Sequence, residues 1–97
     1  IKLKLSLSPS YLIDTEIPFF NHVLEALAKH SGLGIEVIAR GDLDVDFHHT
    51  VEDVGIVLGQ AFAQLVYPVG NIERFASADI VMDETLINCS LDISNRP

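Results

Sequence analysis

The order in which two periodicities alternate along this chain restricts its fold more than any single residue does. Leu3, Leu5 and Leu7 alternate with Lys2, Lys4, Ser6 and Ser8, which predicts a strand with one buried face, broken by Ser8-Pro9-Ser10. Phe20, Val23, Leu24, Leu27 and Ala28 then recur at helical spacing, with Thr15 as a candidate cap, Pro18 in the first turn and Ser31-Gly32 as the stop. From Ile35 to Phe47 the odd positions are Ile, Val, Ala, Gly, Leu, Val and Phe, while the even ones are mostly charged. This predicts a long strand with Gly41 as a bend or hairpin point. Val51, Val54, Leu58, Ala61 and Leu65 mark a second helix ending near Tyr67-Pro68 and Gly70, with Gly55, Gly59 and Ala63 slim enough to lie close on a sheet. Alternation returns through Ala78, Ile80 and Met82, turns at Asp83-Glu84-Thr85, and resumes through Ile87, Cys89, Leu91 and Ile93 as a hairpin.

Strand, helix, strand, helix, hairpin implies an α+β fold: a two-layer α/β sandwich of about four strands with two helices on one face. A chain of 97 residues reads as a single domain, 1–97, and hides only about 60–65 % of its unfolded surface. Yet 48 % of the residues are apolar and the mean hydropathy is +0.33. That exceeds what so small a core needs, so apolar surface is expected to face a partner and the chain to form a homo-oligomer.

The formal charge of −8, with the six basic residues scattered, excludes the concentrated positive face that nucleic acid requires. A single cysteine, Cys89, excludes an internal disulfide framework and suits a reducing compartment. No apolar run approaches the ~20 residues that span a bilayer, and residues 1–5 are too short and too alternating for a signal peptide. A cytoplasmic protein with no membrane partner is the expectation.

The stretch Asp46-Phe47-His48-His49-Thr50-Val51-Glu52-Asp53 places two histidines and several carboxylates where the second helix begins. Successive helical residues lie about 100° apart, so adjacent histidines cannot serve one ion from a regular turn. Glu52 stands four residues after His48 and three after His49, within reach of either ring. Imidazole with carboxylate and no thiolate suits Mn, Fe or Zn, but the segment offers at most two good ligands in each direction. His22, off the apolar face of the first helix, is the best further candidate. The competing reading makes His48, His49 and Asp53 a solvated helix start. His30 reads as structural, because a cation at a helix C-terminus complements the dipole. Asp42, Asp44 and Asp46 read as a solvated strand face. Arg74 and Arg96 are either carboxylate partners or a clamp for phosphate.

Several stretches, in order, resemble the imidazoleglycerol-phosphate dehydratase family. They are Ile17-Pro18-Phe19-Phe20-Asn21-His22, His30-Ser31-Gly32, Gly41-Asp42-Leu43, His48-His49-Thr50-Val51-Glu52-Asp53-Val54-Gly55-Ile56, Leu58-Gly59-Gln60, Arg74-Phe75, Met82-Asp83-Glu84-Thr85-Leu86 and Leu91-Asp92-Ile93-Ser94-Asn95-Arg96-Pro97. The resemblance implies a duplicated fold of which this chain matches the first half, so that it is a half or fragment of the enzyme. It implies dehydration of imidazole glycerol phosphate to imidazole acetol phosphate in histidine biosynthesis, with two Mn²⁺ per complete active site and Zn²⁺ or Fe²⁺ as substitutes. It also implies metal-assisted assembly of trimers into a large homo-oligomer. By the same resemblance His22, His48, His49 and Glu52 are metal ligands, Glu52 is also catalytic, and Arg74 and Arg96 bind the substrate phosphate. The sequence departs from the family pattern at Glu16 and Asn95, where glycine is usual, at Ala76, also a glycine position, at Phe47, an acidic position, and at Asn21, usually Asp. A second reading keeps the fold as a metal-stabilised oligomerisation module without catalysis.

Overall fold

The computed structural model describes residues 1–68 and 70–96, and the chain forms two compact units, Ile1–Tyr67 and Pro68–Pro97. The first contains β1 (Lys2–Ser6), β2 (Tyr11–Asp14), α1 (Pro18–Ser31), β3 (Gly34–Ile38) and α2 (His48–Val66). Its sheet has the order β1-β3-β2, with β3 antiparallel to β1 and parallel to β2. Leu3 and Ile13 both lie opposite Val37, and Leu5 lies opposite Ile35. Since side chains alternate across a sheet, these five share one face. That face meets Leu24 and Ala28 of α1 and Val54 of α2 in one core, with Phe20 and Leu58 at its margin. Both helices therefore cover the same side, as the patterning predicts. On the other side Lys4 faces Glu36 at 3.6 Å, with the exposed Leu12 opposite Glu36 on β2.

Pro18 opens α1 and Gly32 closes it at φ 71°, a left-handed conformation glycine adopts without a Cβ penalty. Thr15 is not the cap. The cap position falls on Ile17, whose side chain makes no capping bond. Thr15 is fully buried, and its hydroxyl and backbone N–H both donate to Asn21 Oδ1, at 2.6 and 2.9 Å. The Thr15 hydroxyl in turn accepts the Ile17 N–H. Asn21 thus ties the end of β2 to the first turn of α1 through its carbonyl oxygen, the part it shares with the Asp usual in the family.

The predicted long strand over residues 35–47 is shorter. β3 stops at Ile38, which is opposite Lys2 at the start of β1 and Asp14 at the end of β2. On the β2 side the ladder ends with Asp14, and alternation alone does not carry a strand past its neighbour. Ala39 N–H still reaches the Asp14 carbonyl, and then Asp42 C=O accepts the Val45 N–H in a turn. β2 was not anticipated; four residues beyond a proline carry too little alternation to register.

In α2, Gly55 and Gly59 are exposed, and a Cβ at either would meet no atom within 4 Å. The slim stripe faces away from the sheet, not onto it. In the second unit β4 (Phe75–Met82) and β5 (Thr85–Asp92) form a hairpin with Ala78 opposite Cys89 and Ile80 opposite Ile87. Among the described residues there are thus two helices with a three-stranded sheet and a two-stranded one, the expected α+β class with its strands divided between two sheets. Pro97, the last residue of the motif beginning at Leu91, lies outside the described residues.

Candidate functional site

α2 begins at His48, and the side chain that satisfies its first amide comes from two residues upstream: Asp46 Oδ1 accepts the His48 N–H at 2.7 Å. A carboxylate there also complements the positive end of the helix dipole. The two histidines look different ways, as helical geometry requires. His48 Nε2 lies 3.2 Å from Glu52 Oε2, and His49 Nδ1 lies 3.0 Å from Asp42 Oδ2. Their ring planes are inclined at 70° with centroids 5.8 Å apart. All four side chains are about half exposed or more.

Two donor atoms about 2.1 Å from one ion and about 90–110° apart are separated by roughly 3.0–3.4 Å. The 3.2 Å between His48 Nε2 and Glu52 Oε2 matches that spacing, so this pair suits a borderline divalent cation. The same distance is an ordinary i,i+4 ion pair when His48 is protonated. The hydrogen bond with His49 holds the Asp42 carboxyl below its usual range, and the bond to Asp42 raises His49 above its ordinary value.

Of the residues expected at the site, His48 and Glu52 come together, and His49 stands beside them facing away. His22 lies exposed on α1, in a surface groove with Tyr11, Glu25, Ala26, Lys29 and His30. Among the described residues no three His, Cys, Asp or Glu side chains gather closely enough to hold a metal ion. An ion placed between His48 and Glu52 would need further donors to complete a coordination shell.

Sequence reasoning passed over Asp42 and Asp46, reading them with Asp44 as a solvated strand face. They brace His49 and the α2 start instead. The available signal was their place just ahead of a helix N-terminus, where acidic side chains find backbone amides. Arg40 was also passed over. It donates to the Asp14 carboxylate and carbonyl and lies 3.6 Å from Glu16 Oε1. Glu16 has φ 63° and Asn95 φ 55°, which gives a physical reason for the glycine usual at both positions.

Arg74 and Arg96 belong to the second unit. The Arg74 guanidinium donates through Nε and Nη2 to both oxygens of Asp92, at 2.6 and 3.1 Å, and lies 4.9 Å from the Phe75 ring centre. This bond holds the Asp92 carboxyl below its ordinary range. Arg96 follows β5, and its N–H donates to Ser94 Oγ.

A family model described as imidazoleglycerol-phosphate dehydratase matches residues 15–97. A Nitratiruptor protein of that name is 61 % identical over 85 residues, covering 88 % of this chain and 45 % of the relative. Its Nautilia profundicola counterpart is 55 % identical over 97 residues, covering 100 % of this chain and 51 % of the relative. A crystal structure of imidazoleglycerol-phosphate dehydratase from Staphylococcus aureus superposes with a TM-score of 0.88 at 38 % identity, covering 98 % of this chain and 54 % of that one. The chain spans about half the length of the relatives it matches. With the two-way histidine pair, its bracing carboxylates and the helix that bears them all inside the matched segment, the chain belongs to the imidazoleglycerol-phosphate dehydratase family.

Proposed function

We propose that this chain supplies part of a metal-dependent active site that dehydrates imidazole glycerol phosphate to imidazole acetol phosphate in histidine biosynthesis. The observation that carries this reading is the presentation of His48 with Glu52 in one direction and of His49 in another, from a single helical turn. A bound divalent cation, Mn²⁺ with Zn²⁺ or Fe²⁺ as substitutes, would act as Lewis acid and orienting template for the substrate's imidazole ring. His48 Nε2 and Glu52 would hold one such ion, and His49, with His22, would contribute to a second. The Glu52 carboxylate is also the candidate for proton transfer. Arg74 and Arg96 would bind the substrate phosphate, whose double charge suits guanidinium donors. The missing donors would come from further copies in a homo-oligomer or from the other half present in the relatives. An acidic surface argues against nucleic acid as a partner, no helix among the described residues is long and apolar enough to cross a membrane, and we place the protein in the cytoplasm.

Elemental analysis tests the metal reading: His48→Ala, His49→Ala and Glu52→Ala are each expected to lower bound Mn²⁺ or Zn²⁺ several-fold. Equal metal content in all four proteins would sink it. The second reading, a metal-stabilised assembly module without turnover, draws on the absence of any three-ligand cluster among the described residues. Dehydratase assays on the chain alone and mixed with a second-half polypeptide separate the two, since activity in either sample excludes the module.

A further inference from the structure

The loop over residues 39–47 is tied down on both sides of Asp42. Upstream, buried Ala39 hydrogen-bonds to the end of β2. Next to Asp42, Gly41 sits against Thr50, a buried residue of α2 adjacent to His49, so closely that a Cβ there would lie 2.0 Å from Thr50 Oγ1. Downstream, the Asp42 carbonyl closes the turn to Val45. The carboxylate that reaches His49 Nδ1 at 3.0 Å is therefore delivered by a fixed backbone rather than by a wandering surface side chain. An ionised carboxylate only accepts, so the proton between them belongs to Nδ1. A neutral His49 then has its bare nitrogen at Nε2, on a ring 61 % exposed.

We infer that Asp42 is a positioning residue, seated by the Gly41–Thr50 contact, that holds His49 as the Nδ1–H tautomer with Nε2 turned outward as the donor to a divalent cation. Among the described residues no such brace is seen on His48, whose Nε2 faces Glu52 directly. The metal clause rests on the function proposed above; the tautomer clause does not. Outer carboxylates that orient a ligating histidine typically change metal affinity 10- to 100-fold, a magnitude that decides which effect to look for.

The test is ¹⁵N–¹H correlation NMR of the histidine rings in the 97-residue chain, at a pH about two units above the ordinary histidine value of roughly 6.5, followed by Zn²⁺ titration. Wild type is expected to show His49 as Nδ1–H, and Asp42→Ala to give mixed tautomers with at least about tenfold weaker Zn²⁺ binding. Asp42→Asn retains an acceptor oxygen, so it should keep the tautomer in part, and it serves if Asp42→Ala does not fold. Gly41→Ala, which touches neither ring nor carboxylate, should unlock His49 as well. An Nε2–H tautomer in wild type, or an unchanged tautomer in both Asp42 variants, would overturn the inference. Equal Zn²⁺ affinity in wild type and His49→Ala would refute the metal reading of His49 while the tautomer result still stood.

Discussion

Gly41 and Thr50 touch at a point where only a glycine fits: a Cβ at position 41 would fall 2.0 Å from Thr50 Oγ1 and 3.2 Å from Thr50 Cβ. Thr50 is buried, so little free space surrounds it. Gly41→Ala is expected to cost about 1–3 kcal/mol, the range for forcing an extra methyl into a packed site. Thr50→Ala removes the atom nearest the clash, so the double variant should be less destabilised than the sum of the singles by about 1 kcal/mol or more. Denaturant melts of the four proteins measure this, and strict additivity would show that the two residues do not meet.

Glu16 and Asn95 share a positive φ but not its cost. The left-handed region costs most L-residues about 1–2 kcal/mol, and Asn tolerates it better than Glu. Glycine gives back part of that gain through the greater freedom of its unfolded chain. Glu16→Gly should therefore stabilise by about 0.5–1 kcal/mol, even though it gives up the exposed contact with Arg40. Asn95→Gly should change little. Destabilisation by Glu16→Gly would mean that the Arg40 contact outweighs the backbone term.

These positions show what can be read in the sequence and what cannot. Leu3, Leu5, Ile35, Val37 and the two helices were legible because a buried face imposes its period directly on residue choice. β2 and the extent of β3 were not, since register is a relation between distant segments. Half of the site was legible for the same reason. His48 and Glu52 meet through helical spacing, a local rule, and the divergence of His48 from His49 follows from it. Asp42 reaches His49 across a loop folded by Gly41 against Thr50, and no periodicity announces such a contact. His22 shows the limit most plainly: its place off the apolar face of α1 was readable, but the groove it shares with Tyr11 depends on packing beyond its own helix.

Titration of His49 should expose its partner. Its pKa is raised from 6.5 chiefly by the hydrogen bond to Asp42, whose own pKa is lowered from 3.8 chiefly by the same bond. A raised histidine contributes stability that is complete below its unfolded value and lost as pH climbs through its folded one. A depressed carboxyl contributes stability present above its unfolded value and lost as pH falls through its folded one. The pair thus contributes fully between about pH 3.8 and 6.5 and fades outside that window. In metal-free protein, NMR should find His49 titrating above 6.5 in wild type and nearer that value in Asp42→Asn. Identical titration curves would remove Asp42 from its environment.

Self-association is the last expectation, and area decides how it must occur. Ile80, Met82, Ile87 and Leu91 lie on one face of the hairpin and Phe75, Val81 and Leu86 on the other, all exposed by 58 % or more. Two strands bury little apolar surface by themselves, so these residues call for a cover. Strands of eight residues at about 3.4 Å per residue and about 4.8 Å apart present only some 250–300 Å² per face. One face against its copy would bury roughly 500–600 Å² in total, well short of the ~1,200 Å² of a stable interface. A lasting contact must therefore cover both faces of the hairpin. A twofold pair of chains could do this, the second copy standing where the relatives carry further sequence. Light scattering behind size exclusion at micromolar protein should show a dimer or a multiple of dimers, tightened by Mn²⁺ or Zn²⁺ and loosened by EDTA. Ile80→Asp with Leu86→Asp, one on each face, should shift the chain toward monomer. A folded monomer with metal and without it would show that this apolar surface needs no second copy.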